Sequence, residues 1–232
     1  MQDLFESSGD TKVPHEPLGD GAVLLRGFAT ARSATLVAAI DSIAVAAPFR
    51  RMITPGGFEM SVAMTNCGTA GWVTDRKGYR YATHDPDSGK PWPRLPQEFL
   101  DLAEAAATEA GFPGFLPDAC LINRYEPGAR LSLHQDRDEA DYGHPIVSVS
   151  LGLPATFQFG GLKRSDPVKK VALQHGDVVV WGGEAGQIFI ERFGGFLSHP
   201  EDFDASAGGI LGLAWAVGQP LVAMALGSET PR

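Results

Sequence analysis

Basic residues are scarce in this chain: 19 Lys and Arg stand against 28 Asp and Glu in 232 residues, a formal net charge of −9. That balance excludes a general polyanion binder, so any contact with a phosphate backbone has to come from a local patch working against the overall field. Arg76, Lys77 and Arg80 form one such patch, and Lys163 with Arg164 another; ordinary solvated charge explains both equally well. Cysteine is scarcer still. Cys67 and Cys120 are the only two, in apolar surroundings and without metal-ligand spacing. This excludes a disulfide framework and a zinc cluster, and it fits a reduced, cytoplasmic protein. The first ten residues, MQDLFESSGD, lack the apolar run of a secretion signal. Charge is absent altogether from 205 to 228. That length admits a membrane span, but several glycines, Gln219 and Pro220 argue for a buried or disordered tail, and no membrane partner is expected.

What is abundant is turn chemistry and apolar residues: Gly 28, Pro 17 and 44% hydrophobic content, enough for one packed domain of short elements. Residues 1–20 read as loosely ordered, with Pro14, Pro17 and Gly19 as breakers. Residues 22–25 read as a strand. Leu36, Val37, Ile40, Ile43 and Ala47 recur at helical spacing, which predicts a helix over 33–47 capped by Ser33 and stopped by Pro48. A second helix is expected over 96–110, with Gly111 just past its end. Residues 49–95 are short extended pieces punctuated by glycine. From 117 onward the pattern is strand after strand: 119–125, 131–134, 145–153, 156–159, 171–173 and 178–181. Strict alternation puts Val147, Val149, Leu151 and Leu153 on one side. The reading is a single domain over 1–232, mostly β (α+β), built as a double-stranded β-helix or jelly roll with supporting N-terminal helices.

One stretch carries chemistry. In LSLHQD, His134 and Asp136 are two apart, so on a strand they project to one face, opposite Leu131 and Leu133. A neutral nitrogen and an anionic oxygen together suit a divalent first-row metal; a second histidine would complete the facial triad of a non-haem Fe(II) centre. On spacing alone, a polar strand edge is the commoner meaning of His-x-Asp. The neighbouring strings are more specific. PGGFEMSVAMTNCG (55–68), GYRY (78–81), PWPRLP (91–96), PDACLINRYEPGARLSLHQDRDE (117–139), PIVSVSLGLPATFQFGG (145–161) and HGDVVVWGGE (175–184) follow in order. Together they resemble the AlkB family of Fe(II)/2-oxoglutarate-dependent dioxygenases, which dealkylate nucleic-acid bases.

The resemblance implies Fe(II) on His134 and Asp136, and 2-oxoglutarate held by Asn123, Arg124 and Tyr125. It implies a lid over the extruded base, with Trp72, Tyr79, Arg80, Tyr81, Asp138 and Arg164 on the substrate side and Trp181 as a wall beneath the cosubstrate. The implied reaction consumes molecular oxygen, removes an alkyl group from DNA or RNA as formaldehyde and releases succinate; the enzyme is expected to act as a monomer. An aromatic face stacked on a base contributes about 1–3 kcal/mol.

The resemblance stops after Glu184. The family's third ligand histidine falls in register with Ile190, and its R-x-N-x-T-x-R strand, whose arginines pair with the far carboxylate of 2-oxoglutarate, is replaced by the uncharged GILGLAWAV of 209–217. The remaining histidines after Asp136 are His144 and His175, read as structural, and His199, which sits in a His-Pro pair. Arg192 is the one tail arginine before Arg232. Three readings of 185–232 stay open: a frameshifted tail, which translation of the other frames would expose; an inactive nucleic-acid or metabolite-binding module on the same fold; or a site rebuilt with His199 and Arg192. A cupin-like metal protein with another substrate is a further alternative.

Overall fold

The computed structural model describes residues 13–126, 128–134, 144–163, 165–183, 190–194 and 210–216. Within these, strands β1 (His15–Gly19), β2 (Ala22–Leu25), β3 (Arg50–Ile53), β4 (Glu59–Gly68), β7 (Ala119–Tyr125), β9 (Ile146–Leu151), β12 (Val178–Trp181) and β14 (Ile210–Ala216) form the large sheet, in the order β1-β2-β12-β9-β14-β7-β4-β3. Strands β8 (Arg130–His134), β10 (Ala155–Phe159), β11 (Lys169–Leu173) and β13 (Ile190–Gly194) form the small sheet, β11-β10-β13-β8, and β5 (Gly71–Asp75) pairs with β6 (Gly78–Ala82) as a separate hairpin. Helices α1 (Ser33–Ala46) and α2 (Gln97–Glu109) complete the set. Neither is long and apolar enough to cross a membrane.

The alternation in β9 explains how the large sheet is covered on both sides. Val147, Val149 and Leu151 pack with Leu36, Ile40 and Ile43 of α1 and Phe99, Leu102 and Ala106 of α2. On its other face, Ile146 joins Leu24, Val179 and Trp181 against Phe157, Phe159, Val171 and Leu173 of the small sheet. A second inter-sheet cluster holds Met64, Tyr125 and Ala155, with Leu131 packed against it. Two sheets face to face, with helices on the outside of one, is the expected double-stranded β-helix.

The differences from the sequence reading have local causes. Residues 15–19 are a strand: their breakers shape its edge, with a register shift between Pro17 and Gly19, and the turn falls at Gly21, whose φ is 70°. Ser33 is the first helical residue, preceded by Arg32 without a side-chain cap. The turn at 30–32 already fills that end as a 3-10 helix. Gly111 does close α2, with φ 90°. Leu153 leaves the β9 face and packs in the cluster around Tyr125. The uncharged tail segment is neither span nor loose end over 210–216, because β14 lies in the middle of the large sheet between β9 and β7. A strand at the centre of a sheet can carry an apolar sequence without alternation, and ILGLAWA is one.

Two features fix this frame. The first is a clasp around Asp177, whose carboxylate is 2% exposed. It accepts hydrogen bonds from the Gly27 amide at 2.8 Å, the Gln174 amide at 2.8 Å and the Arg26 guanidinium at 2.8 Å, and Arg26 also reaches Glu16 at 2.6 Å. The clasp ties the β1–β2 edge to the β11–β12 turn. The second is the pair Cys67 and Cys120, directly opposed across β4 and β7 and both buried. Burial, reinforced by the hydrogen bond from its neighbour, pushes the Cys120 thiol well above the usual range. A buried thiol that does not ionise is unreactive. Iodoacetamide at pH 8 is therefore expected to label neither cysteine in the folded protein and both in denaturant, as read by intact mass.

Candidate functional site

The hairpin β5–β6 presents the aromatic residues. The Trp72 and Tyr79 rings are stacked, with centroids 5.6 Å apart and planes 21° from parallel. Tyr79 is 50% exposed, so its outer face is available to a ligand. Tyr81 stands directly across the ladder from Trp72. The hairpin is held at its base by Asn66 on β4: its side-chain oxygen accepts from the Trp72 amide at 3.0 Å and its side-chain nitrogen donates to the Trp72 carbonyl at 3.0 Å. Gly71 allows that approach, because a Cβ there would lie 2.7 Å from Asn66 and 2.6 Å from the Trp92 ring. The Arg80 guanidinium pairs with Asp75 of the same hairpin at 2.7 and 3.1 Å. Arg80, with help from the Lys77 amide, holds the Asp75 carboxyl below the usual carboxylate range. Within the expected basic patch, Arg80 is thus locally neutralised, leaving Arg76 and Lys77.

A second anchor lies behind the hairpin. Arg50 lies over the Trp92 ring at 5.3 Å and pairs with Asp85; the Trp92 indole donates to the Ala82 carbonyl at 2.8 Å. Asp85, 3% exposed, also accepts from the Ser88 hydroxyl at 2.8 Å and the Asp87 amide at 3.1 Å. Burial alone would raise the Asp85 carboxyl; the Ser88 and Asp87 donors and Arg50 outweigh it and hold it below the usual value. A carboxyl depressed in the folded state stabilises the fold above its unfolded pKa, about 3.9, and loses that contribution as pH falls through the folded value. Urea midpoints are therefore expected to fall between pH 5 and pH 3, and to fall less steeply in Asp85→Asn.

Strand β7 sorts the predicted cosubstrate residues by face. Cys120 and Ile122 pack toward the helices, and Arg124 follows them, its guanidinium 4.8 Å from the Phe49 ring. Arg124 is thus a correction: alternation puts it on the opposite side of the sheet from Asn123 and Tyr125. Tyr125, 1% exposed, lies in the inter-sheet cluster. Asn123 is 6% exposed, and its side-chain oxygen is buried with no hydrogen-bond partner among the described residues. A buried polar atom left in this way costs about 1–3 kcal/mol, which a ligand bound there would recover.

Strand β8 carries a second correction. Simple alternation put His134 opposite Leu131. In the ladder with β13, however, Ile190 pairs with His134 and Arg192 with Leu131, a shift of one residue. Positions 190 and 192 are two apart on a strand that runs in regular register against Phe159 and Phe157 of β10, so they share a side. Their partners His134 and Leu131 share it too, although they are three apart in sequence. An extra residue in one strand re-aims the side chains beyond it. Here it puts His134 on the side of Leu131, which packs against the inter-sheet cluster. The Ser61 hydroxyl, bonded to the Arg130 carbonyl at 2.9 Å and accepting from its amide at 3.1 Å, fixes the start of β8 against β4.

The donors can be compared with the metal and cosubstrate that the resemblance implies. At the Asn123–Tyr125 end the fit is good, since an orphaned amide oxygen and a tyrosine line the inter-sheet face. Beside them it is poor: β14 sets Gly212 opposite Asn123 and Ile210 opposite Tyr125, and 209–217 contain no cation for a far carboxylate. For iron, the residue across the ladder from His134 is Ile190, which offers no donor, and among the described residues no three His, Cys, Asp or Glu side chains converge. Asp136, Asp138, Arg164 and His199 lie outside the described residues. Trp181 packs in the core, 5.9 Å from Phe157. His175 is structural, its ring nitrogen accepting from the Gly152 amide at 3.0 Å, and His144 is exposed. Sequence reasoning missed Asn66; an asparagine in a run of strand residues, six before Trp72, was its only signal.

Comparison with known proteins bears on the whole arrangement. The sequence profile of the 2OG-Fe(II) oxygenase superfamily matches residues 21–193. The alpha-ketoglutarate-dependent dioxygenase AlkB of Escherichia coli (strain K12) is 61% identical over 185 residues, 80% of this chain and 84% of that protein. The nucleic acid dioxygenase ALKBH1 of Mus musculus is 35% identical over 113 residues, 48% of this chain and 28% of that protein. Among solved structures, that of OsALKBH1 superposes with a TM-score of 0.74 at 25% identity, covering 87% of this chain and 99% of the other.

Proposed function

Since the chain belongs to the AlkB family within the 2OG-Fe(II) oxygenase superfamily, we propose that the site between its two sheets oxidatively dealkylates nucleic-acid bases, with His134 holding the metal. Fe(II) and 2-oxoglutarate are the metal and cosubstrate of this family, and together they supply its oxidising chemistry. The observation that carries the reading is the buried side-chain oxygen of Asn123, without a partner among the described residues, beside Tyr125.

In this reading Asn123 and Tyr125 orient the cosubstrate by hydrogen bonds in a water-poor pocket, where such bonds are stronger than in solvent. Trp72 and Tyr79 offer a flat, clamped surface to an extruded base, and Tyr81 borders it. Extrusion is cheapest for a damaged base, which is one source of selectivity. Arg76 and Lys77, in the turn of the same hairpin, supply local cations, and the net charge of −9 keeps binding to undamaged nucleic acid weak and salt-sensitive. Asp138, within the matching string 117–139, and Arg164, in the turn that follows 145–161, are assigned to the substrate side by the resemblance. Two buried thiols suit a reduced cytoplasm, and the chain is assigned as a monomer that consumes molecular oxygen.

The test is formaldehyde release from an N-methylated single-stranded oligonucleotide with Fe(II) and 2-oxoglutarate supplied. Release that requires 2-oxoglutarate is expected. The uncharged strand beside Asn123 favours a second reading, a binding module without turnover. Tight binding of the methylated oligonucleotide with no formaldehyde at any iron concentration would establish that instead.

A further inference from the structure

Residue 190 is the position where this chain departs from the donor set its family implies, and the register of β8 against β13 makes the departure specific. Ile190 is the direct ladder partner of His134. Directly opposed residues in an antiparallel pair have Cβ atoms about 4.5–5.5 Å apart and share a face. Two imidazoles on such a pair can reach one metal, since each needs a metal–nitrogen distance of about 2.0–2.1 Å. An isoleucine offers no lone pair. On its other side position 190 pairs with Phe159, a residue 5% exposed in the inter-sheet core, so the strand flank there is apolar as well.

We propose that residue 190 sets the metal affinity of this chain: isoleucine across the ladder from His134 leaves a centre short of one nitrogen donor, and a donor placed at 190 completes it. The inference rests on the dioxygenase reading and concerns the strength of metal binding alone. The chain as it stands then holds a divalent first-row ion loosely. The ligand class that fills the gap is a neutral nitrogen donor, because imidazole is a good ligand for such ions where an alkyl group is none.

The experiment is a Co(II) titration of tag-free protein followed by calorimetry and by the visible absorption of the bound ion. Ile190→His is expected to bind Co(II) at least tenfold more tightly than the unaltered chain, and the gain is expected to vanish in the double variant Ile190→His/His134→Ala. If Ile190→His does not fold, Ile190→Gly gives the same comparison: free imidazole is expected to tighten its Co(II) binding at least tenfold while leaving the unaltered chain unchanged. Equal affinity of the unaltered chain and Ile190→His would overturn the proposal by showing that another donor completes the site, and would leave the dioxygenase reading intact. A gain that survives loss of His134 would overturn it by breaking the ladder relationship. Absence of Co(II) binding in every variant would overturn this inference and the dioxygenase reading together.

Discussion

His134→Ala is expected to lower 2-oxoglutarate-dependent formaldehyde release at least 100-fold while moving the urea midpoint only slightly. The size follows from its role under the proposed function. Loss of a residue that merely orients a metal ligand costs about 10–100-fold, and loss of the ligand itself costs more. The effect is sharpened here because Ile190, directly across the ladder, supplies no second nitrogen. The small stability change follows from position. His134 is half-buried at the end of β8, and replacements at partly exposed positions typically change stability by less than about 1 kcal/mol. A variant with intact folding and abolished turnover separates metal binding from scaffolding.

Asp177→Ala is expected to have the opposite signature, a large loss of stability. Its carboxylate satisfies the Gly27 and Gln174 amides and one arm of Arg26, and it is 2% exposed. Removing it leaves two backbone donors and a guanidinium facing an apolar methyl group. Each part-buried amide left without an acceptor costs about 1–3 kcal/mol, while Arg26, 31% exposed, keeps its pair with Glu16. In a domain of this size about 3 kcal/mol corresponds to roughly 6–12 °C in Tm. Calorimetry of the variant checks this. Asp177→Asn keeps one acceptor oxygen and is expected to fall between the two.

The strands around the site show what can and cannot be read from residue order. The spacing in β9 transfers directly, because Val147, Val149 and Leu151 pack on one face as alternation requires. Alternation fails in β8, because one shifted residue between its pairs with Ile190 and Arg192 re-aims His134, and nothing in RLSLH announces a bulge. The string NRY marks the strand proposed to hold the cosubstrate but does not separate its faces; only the packing of Arg124 on Phe49 does so. The tail reads as featureless because an uncharged apolar run has no polar face to reveal its period, yet β14 lies in the middle of the large sheet. The clasps are invisible for a simpler reason. Arg26 and Asp177 are 151 residues apart, and Arg50 meets Asp85 across 35. Folding alone brings them together.

Asn123 gives the most direct test of the central claim that the inter-sheet face at the end of β7 is built for a ligand. Its buried oxygen has no partner among the described residues, so Asn123→Ala removes an unsatisfied group and replaces it with one that needs no partner. The decisive measurement pairs the melting temperature of the ligand-free protein with 2-oxoglutarate affinity by calorimetry on the Co(II)-loaded protein, for the unaltered chain and Asn123→Ala. The account predicts an unchanged or raised melting temperature in the variant and at least tenfold weaker 2-oxoglutarate binding. A lowered melting temperature with unchanged 2-oxoglutarate affinity would contradict it.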